Sequence, residues 1–310
     1  MLFDWDSEVD NRNLDLAPVA IFAYERLDHL KKTVNALVLN DLAADTNVFI
    51  FSDGAKLHNQ NKISEVRSYL KTIKGFSSVN IIEREKNYGL SENIINGVNF
   101  ILEKYEKIIV LEDDLVTSKN FLKFMNDALK FYAAHDNVSC ISGYIYPIKG
   151  LKSDFFIKGA DCWGWGTWKK NWRYFVEDGR DLLLKLTERK LFSTPFDKAW
   201  NYDRMLLDQI SGKNSSWAIR WYYSSVLNDQ LCFYPRKTLV RNIGNDGSGT
   251  HSIDTDMFNS DLQDEYIFNP VSVQECVNSK MLLKKYALKQ KSLITRLPRR
   301  LNSILKMAVQ

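Results

Sequence analysis

The sequence lacks the features that mark membrane-spanning and exported proteins. Its 310 residues contain no apolar run of about 18 residues, the length that a membrane helix needs. The first residues, MLFDWDSEVDNRN, lack the basic-then-apolar pattern of a secretory signal. The four cysteines are scattered and form no CxxC pair, which argues against a zinc site and a disulfide framework. We therefore expect a cytoplasmic protein.

Two common nucleotide-binding fingerprints are also missing. No GxGxxG motif follows the first predicted strand, and GxxxxGK[ST] occurs nowhere. Acidic residues are absent from one region, 280–310, which contains nine Lys or Arg residues and no Asp or Glu. The remainder holds the other 33 of the 42 basic residues and all 38 acidic ones. Because this body is acidic and shows no nucleic-acid motif, we expect no nucleic-acid partner.

Short apolar runs alternate with stretches of helical periodicity in the first 135 residues. The predicted strands are 18–24, 47–51, 79–82 and 108–111. Apolar residues at helical spacing separate them, with short polar turns between. Alternation of this kind is typical of βαβ units, so the sequence predicts an α/β fold with a mostly parallel, Rossmann-like sheet flanked by helices.

Three acids follow the fourth predicted strand. In Lys107–Thr117 (KIIVLEDDLVT) an apolar run is followed at once by Glu112, Asp113 and Asp114. The carboxyl edge of an open α/β sheet is where such folds bind ligands. Carboxylates this close repel one another unless a cation joins them, and a hard divalent ion carrying a diphosphate is one solution. The alternative is a solvated acidic turn before the next helix.

Two segments of the second half also suggest a ligand site. In Ala160–Trp168 (ADCWGWGTW) three tryptophans alternate with glycines. Indole rings stack on sugar faces, so Trp163, Gly164 and Trp165 are candidate acceptor contacts; the alternative is a cluster of core tryptophans. The segment Gly244–His251 (GNDGSGTH) contains three glycines and predicts a lid loop.

The motifs occur in the order found in one family. A polar turn after the first strand, Ser52-Asp53-Gly54 after the second, Asn87–Leu90 (NYGL) and Glu112–Asp114 together resemble the nucleotide-sugar domain of GT-A-fold glycosyltransferases. The closest likeness is to N-acetylglucosaminyltransferase I and its bacterial relatives in surface-polysaccharide synthesis. It covers 18–251.

The resemblance implies roles for individual residues. Asp114 would coordinate a divalent ion, Mn²⁺ or Mg²⁺, that bridges the donor diphosphate. His251, at the end of the predicted lid loop, could complete the metal or phosphate shell, or serve only as a surface or capping residue. Glu112 and Asp113 would contact sugar and ribose, and Asp53 would meet the uracil of a UDP-sugar. The remaining candidate donor contacts are Ala23, Tyr24, Arg26, Asn87, Gly89, Leu90 and Arg220.

The chain departs from the family at the catalytic base. The family places an acid in a Trp-Asp-Asp-Trp stretch, which aligns with Trp217–Trp221, but the interior residues here are Ala218, Ile219 and Arg220. Either the base comes from elsewhere, with Asp208 and Asp246 as candidates, or the mechanism differs. Inversion of the transferred sugar is an expectation from the family likeness alone.

The expected organisation has two parts. Residues 1–270 form the glycosyltransferase-like domain, with a nucleotide-sugar half at about 18–135 and an acceptor half with the lid at 136–270. Residues 271–310 form a basic amphipathic tail, interrupted near Pro298. We expect residues 280–310 to contact the inner face of the cell membrane; the alternative is a helix that packs on the body or mediates self-association.

Three functional classes remain open. The favoured one is a metal-dependent glycosyltransferase that moves a sugar from a nucleotide-sugar donor to a glycan or lipid-linked glycan acceptor. A sugar nucleotidyltransferase would normally carry a glycine-rich basic loop after the first strand, and Ala23–Arg26 is not one. A non-catalytic glycan-binding protein on the same fold is the third, because the family's base is missing.

Overall fold

The described part of the chain contains ten strands. The computed structural model describes residues 16–247, 258 and 260–296. The strands are β1 Val19–Ala23, β2 Asn47–Ser52, β3 Ser78–Glu83, β4 Lys107–Glu112, β5 Leu115–Thr117, β6 Val138–Ser142, β7 Phe155–Lys158, β8 Trp165–Trp168, β9 Leu231–Tyr234 and β10 Val240–Asn242. The four strands predicted in the first half are all present, within a few residues of their predicted ends.

Helices fill most of the connections. They are α1 Leu27–Val38, α2 Gln60–Leu70, α3 Leu90–Lys104, α4 Phe121–Phe131, α5 Lys169–Trp172, α6 Gly179–Glu188, α7 Pro195–Trp200, α8 Tyr202–Ile210, α9 Trp217–Leu227 and α10 Val277–Arg296, with a short 3₁₀ helix at Ala43–Asp45. α9 begins with a serine cap, since the Ser216 hydroxyl accepts a hydrogen bond from the Ile219 N–H at 3.2 Å.

Eight strands form one sheet in the order β3-β2-β1-β4-β8-β6-β9-β7. The first four are parallel, and β6 and β9 run in the same direction as these, because β8 is antiparallel to both β4 and β6. Only β8 and β7 run the opposite way. The predicted α/β architecture, a mostly parallel sheet flanked by helices, is confirmed and is consistent with the GT-A arrangement.

β1 explains why the first strands are continuous apolar runs in the sequence. Its five residues are at most 3% exposed. Val19 and Ile21 pack in the core cluster that includes α1 and α4, whereas Ala20 and Phe22 pack in the cluster that includes α3 and α9. A strand covered by helices on both faces has no solvent-facing side, so apolar residues do not alternate with polar ones.

The strand order reverses beside β1. The chain proceeds outward from β1 to β2 and β3, and then returns to place β4 on the other side of β1. In an open α/β sheet such a switch leaves a crevice between the carboxyl ends of the two strands, and ligands bind there. The residues that follow β1 and β4 therefore frame the crevice.

A second sheet of two strands brings the residues that follow β10 to the carboxyl end of β4. β5 pairs antiparallel with β10, matching Leu115 with Asn242 and Thr117 with Val240. The Ile243 N–H then donates to the Asp114 carbonyl at 2.9 Å. This pairing carries residues 244–247, the described part of the predicted lid loop, to the carboxyl end of β4.

The last described helix packs on the body. Leu283 and Ala287 of α10 are buried against Phe196 and Trp200 of α7. In the described part of the chain, no helix is both long and apolar enough to cross a bilayer. The domain division near residue 270 stays a prediction.

Candidate active site

The acids that end β4 are held from two neighbouring elements. The Asp113 carbonyl accepts a hydrogen bond from the Thr33 hydroxyl of α1 at 2.9 Å. Its carboxylate accepts one from the Tyr24 N–H, just beyond β1, at 3.3 Å. Asp113 and Asp114 are buried, and Glu112 is half-buried. The three acids therefore lie at the switch point, facing the end of β1.

Arg26 neutralises part of this acid cluster, which consists of Glu112, Asp113 and Asp114. Its Nη2 donates to Asp113 Oδ1 and lies 2.7 Å from Asp114 Oδ2. Burial lowers the pKa of Arg26, but the two carboxylates outweigh burial and raise it above its usual value, so Arg26 stays charged. The predicted donor-binding residue is thus paired with the predicted metal ligand.

One guanidinium does not balance three carboxyl groups. Burial, reinforced by the charges of Asp114 and Asp113, raises the pKa of Glu112. Burial also raises the pKa of Asp113, even though Arg26 opposes that rise. The Glu112 side chain has no hydrogen-bond or ion-pair partner among the described residues. The site is therefore short of positive charge, and a further cation would relieve it.

A cation at this position is compatible with the available ligands. No group of three or more His, Cys, Asp or Glu side chains within the described residues could enclose a metal ion. Hard divalent ions such as Mg²⁺ are, however, commonly held by one or two carboxylates together with substrate phosphates. The acid cluster fits an ion bound in that way. The other predicted ligand, His251, lies outside the described residues.

The loop after β10 closes over the Arg26–Asp114 pair. A Cβ atom at Gly244 would lie 2.0 Å from Asp114 Oδ2 and 2.8 Å from Arg26 Nη1, so only glycine fits this close approach. Two residues on, Asp246 Oδ2 lies 3.0 Å from Nε2 of His29 on α1. The predicted lid segment thus begins in contact with the acid cluster.

Asp53 holds the neighbouring loop. Its Oδ1 accepts from the Gly54 and Tyr88 N–H groups at 2.8 Å each, and its Oδ2 accepts from Asn87 Nδ2 at 3.0 Å and the Gly89 N–H at 2.9 Å. All four acceptor positions of the carboxylate are occupied. Asp53 therefore shapes this loop, and its direct contact with uracil stays a prediction.

Several neighbours of this loop were not expected from the sequence. Asn59 Nδ2 donates to the Tyr24 hydroxyl at 2.7 Å, which fixes that ring at the end of β1. The Arg84 guanidinium lies 5.0 Å from the centre of the Tyr88 ring, and its Nη2 is buried without a described partner. Leu90 is half exposed. Arg84 directly follows β3, which is the sequence signal that could have identified it.

Trp165 and Trp163, in the segment 160–168, lie in different environments. Trp165 is fully buried, with its ring 5.4 Å from that of Trp217 and 5.9 Å from that of Trp221. The ring lies in the core because β8 pairs with β4, and its role as an acceptor contact stays a prediction. Trp163 remains half-buried, 4.7 Å from the Tyr144 ring. Gly164 between them has φ +62°, a conformation that favours glycine.

Asp161 is an acid that the sequence interpretation overlooked. Its Oδ1 accepts from the Cys162 and Trp163 N–H groups at 2.7 and 3.2 Å. Burial raises the pKa of the Cys162 thiol, and the charges of Asp161, Glu112 and Asp114 add to that rise. The negative charges of Asp161, Glu112 and Asp114 thus all act on the pKa of the Cys162 thiol.

Two other candidate site residues, Arg220 and Asp208, bind to side chains and carbonyls outside the acid cluster. Arg220, only 7% exposed, donates to the Ser91 hydroxyl at 2.6 Å and to the carbonyls of Glu177 and Ser216. It joins α9 to the first turn of α3, and its role as a donor contact stays a prediction. Asp208 on α8 pairs with Arg204 at 3.1 Å and Lys213 at 3.4 Å.

Comparison with known proteins gives partial structural likenesses. No protein-family profile and no curated protein matches the chain. The mannosyltransferase PcManGT from Pyrobaculum calidifontis, solved in complex with GDP-Man and Mn²⁺, is 15% identical with a TM-score of 0.33, over 42% of this chain and 35% of that one. S. aureus TarS is 17% identical with a TM-score of 0.29, over 41% of this chain and 21% of its own length.

A shorter TarS structure, TarS 1-349, aligns more completely. It is 11% identical with a TM-score of 0.41, over 94% of this chain and 78% of that one. The chain therefore spans about a third of PcManGT and a fifth of the longer TarS chain, but most of TarS 1-349. At these TM-scores the chemistry of the site has to be argued from its own residues, and the likeness to N-acetylglucosaminyltransferase I stays a prediction.

Proposed function

We propose that this chain is a metal-dependent glycosyltransferase that moves a sugar from a nucleotide-diphosphate donor, a UDP-sugar, to a glycan or lipid-linked glycan in surface-polysaccharide synthesis. The observation that carries the proposal is the acid cluster at the β1/β4 switch point. At this edge of the sheet, where α/β folds bind nucleotides, Asp113 and Asp114 share one guanidinium, and Glu112 has no ion-pair partner among the described residues.

The excess of acid defines what the site would bind. A donor diphosphate is itself anionic and would be repelled by Asp113 and Asp114 unless a cation came with it. Asp114, the more exposed of the two carboxylates that pair with Arg26, is the residue that would hold Mn²⁺ or Mg²⁺. When bound, such an ion neutralises the charge that develops on the departing diphosphate.

Arg26 has a separate role in this proposal. In the free protein its positive charge offsets the charges of Asp113 and Asp114 and so reduces the repulsion between them. A guanidinium also binds phosphate oxygens through paired N–H groups. If Asp114 held an ion, the Arg26 guanidinium would be available to donate N–H groups to the diphosphate.

The nucleotide pocket would lie between the ends of β1, β2 and β3. Tyr24, Tyr88 and Arg84 surround it, and Asp53 holds the loop that carries Tyr88. Tyr24 and Tyr88 are half-buried, so each presents an aromatic edge or face to a base. Asn59 fixes Tyr24 through its hydroxyl and thereby limits how that ring can turn.

The acceptor would enter from the side of Trp163. Its half-buried indole ring provides a surface on which a sugar can stack, and the buried Tyr144 ring packs against it. For inversion, a base must reach the acceptor hydroxyl. Asp246 is the favoured candidate because its side chain is 47% exposed and its loop adjoins Asp114 through Gly244.

A thermal-shift screen of nucleotide sugars, with and without Mn²⁺, tests the proposal. A ligand that binds only the folded protein at about 100 times its Kd stabilises it by about 2.7 kcal/mol. We expect one nucleotide sugar to raise the unfolding midpoint when Mn²⁺ is present. Asp114→Asn should lose this metal-dependent shift, whereas Asp41→Asn, an exposed acid outside the crevice, should keep it.

Two outcomes would change the conclusion. If no nucleotide sugar raises the midpoint in either condition, the site does not bind such donors and the proposal fails. If the donor binds with Mn²⁺ but neither hydrolysis nor transfer is detected, the non-catalytic glycan-binding alternative becomes the better account.

A further inference from the structure

Helix α10 has two faces of different character. Its inner face packs on the body through Leu283 and Ala287, each 3% exposed. Its outer face carries Val277, Met281 and Leu288, which are 65%, 57% and 49% exposed. These three residues are called the outer stripe of α10 below.

The residues of the outer stripe lie on one side of the helix, with Lys284 between Met281 and Leu288. Successive residues of an α-helix turn by about 100°, which places Val277, Met281 and Leu288 within an arc of about 40°. Leu283 and Ala287 fall on the opposite side of the same projection. Apolar side chains exposed in one line, and not scattered singly, mark a surface that contacts something apolar.

Lysines flank the stripe on both sides. Lys285 and Lys289 follow it on one side and Lys284 and Lys291 on the other, by the same helical projection. Lys291 Nζ, however, donates to the Lys198 carbonyl on the body. α10 contains six Lys or Arg residues and no Asp or Glu. Lys284, Lys285 and Lys289 make no ion pair within the described part of the chain. The face therefore combines exposed apolar side chains with three lysines that have no ion-pair partner among the described residues.

We propose that the outer stripe of α10 docks on an anionic lipid surface. Apolar side chains would enter the boundary between headgroups and acyl chains, and the flanking lysines would contact lipid phosphates. A second copy of the chain fits this face less well, because it would bring lysines against lysines. A nucleic acid would satisfy the lysines but leave Met281 and Leu288 against a charged backbone.

This inference is independent of the proposed reaction. It rests on the exposure and charge of one helix, and not on the acid cluster. A protein held to the membrane by α10 would, however, meet a lipid-linked acceptor in the plane where that acceptor is confined. Lipid binding and donor binding can accordingly fail or succeed separately.

Vesicle co-sedimentation with the full chain tests the docking. One set of vesicles contains phosphatidylcholine alone, and the other contains phosphatidylcholine with phosphatidylglycerol. We expect the protein to sediment with the anionic vesicles, to release as salt is raised, and to stay in solution with the neutral ones. Absence of binding to the anionic vesicles at low salt would overturn the proposal.

Matched variants locate the contact. Lys285→Glu with Lys289→Glu should weaken binding by on the order of 10-fold or more, since each surface cation contributes about 1 kcal/mol. The control pair, Lys71→Glu with Lys74→Glu, makes the same charge change at two exposed lysines that follow α2. Equal loss in both pairs would mean that net charge, and not α10, governs binding, which would also overturn the proposal.

The apolar stripe has its own control. Leu288→Gln should weaken vesicle binding, whereas Leu184→Gln on α6, where the leucine is 59% exposed, should not. Both sites are exposed, so the thermal midpoint should stay near the wild-type value in each variant. If Leu288→Gln instead turns a dimer into a monomer in sedimentation velocity and leaves vesicle binding intact, the stripe binds a second copy and the lipid proposal is wrong.

Discussion

Nη2 of Arg26 lies 2.7 Å from Oδ2 of Asp114, so the residue expected to hold a divalent ion is already paired with a cation from the end of β1. The two residues come from opposite sides of the strand-order switch and are separated by 88 positions in the chain. Metal binding at Asp114 would therefore compete with an internal ion pair. This competition makes the metal assignment testable by stability measurements that require no donor.

Replacement of Arg26 by methionine should reveal the competition. Arg26→Met keeps much of the side-chain volume but leaves Asp113 and Asp114 without their cation. Because both carboxylates are largely buried, we expect the free energy of unfolding to fall by about 3 kcal/mol in a metal-free buffer. Added Mn²⁺ or Mg²⁺ should restore more stability to the variant than it adds to the wild type, as measured by urea denaturation.

NaCl at matched ionic strength controls for general screening in that experiment. Restoration by NaCl to the same extent would show that no specific ion site exists. An Arg26→Met protein that is as stable as the wild type in metal-free buffer would show that the ion pair contributes little, and the competition argument would fail.

Gly244 should tolerate no side chain while the loop is closed. In Gly244→Ala the new methyl would meet Asp114 Oδ2, so either the loop or the Asp114 carboxylate must move. We expect the metal-dependent donor affinity to fall by on the order of 10-fold, with a loss of about 1 kcal/mol in unfolding free energy. Isothermal titration of the donor in the presence of Mn²⁺ measures the first effect.

Gly212→Ala is the matched control for that variant. Gly212 has φ +75° and open space around the position of a Cβ, so its substitution costs about 1–2 kcal/mol of backbone strain without touching the site. Donor affinity should stay normal. Loss of affinity in both variants would point to general destabilisation and away from the loop.

Asp53 should act through the loop that it holds. Asp53→Asn replaces one acceptor oxygen by an NH₂ group that faces two N–H donors. We expect the unfolding free energy to fall by about 1–3 kcal/mol and nucleotide binding to weaken with it. Hydrogen exchange of the Tyr88 and Gly89 amides should accelerate.

A different result would favour the original expectation for Asp53. Unchanged stability and unchanged amide exchange, together with lost nucleotide affinity, would mean that the carboxylate contacts the base directly. Asp41→Asn serves as the reference for removing one acid at an exposed position.

Local patterns predicted the sheet because its first strands are buried on both faces. The apolar run of Lys107–Glu112 is a local signal, and the strand that it predicts is observed. Across 198–210 the apolar residues keep a helical spacing, but the helix breaks at Asn201, which adopts φ 60° between α7 and α8. Spacing alone does not reveal this break, because it depends on the left-handed conformation of one residue.

Long-range pairing could not be predicted from the same patterns. Trp165 is fixed in the core by its strand register and by Trp217 and Trp221, more than 50 positions away. Composition alone cannot distinguish such a ring from one that stacks on a sugar. Arg26 was placed in the donor pocket by resemblance, but its pairing with Asp114 depends on the order of strands in the sheet.

The two candidate bases should respond differently to removal of their charge. Asp208 is held between Arg204 and Lys213 with a side chain that is 6% exposed, so Asp208→Asn should lower the unfolding free energy by about 1–3 kcal/mol and leave turnover of the folded enzyme near normal. Asp246 lies on the exposed loop beside His29. We expect Asp246→Asn to lower kcat by on the order of 10²-fold or more with the donor Kd preserved, because a base acts only in the transition state.

The comparison of kcat with donor Kd decides the role of Asp246. If kcat and donor affinity fall together in Asp246→Asn, the residue closes the loop and is not the base. If both variants turn over normally, the base lies elsewhere, and Asp161→Asn becomes the next variant to measure, since Asp161 lies beside Trp163 and shares the electrostatic neighbourhood of Cys162 with Glu112 and Asp114. Normal turnover in all three would leave the inverting mechanism without a carboxylate base among these candidates, and a retaining transfer would then be the better account.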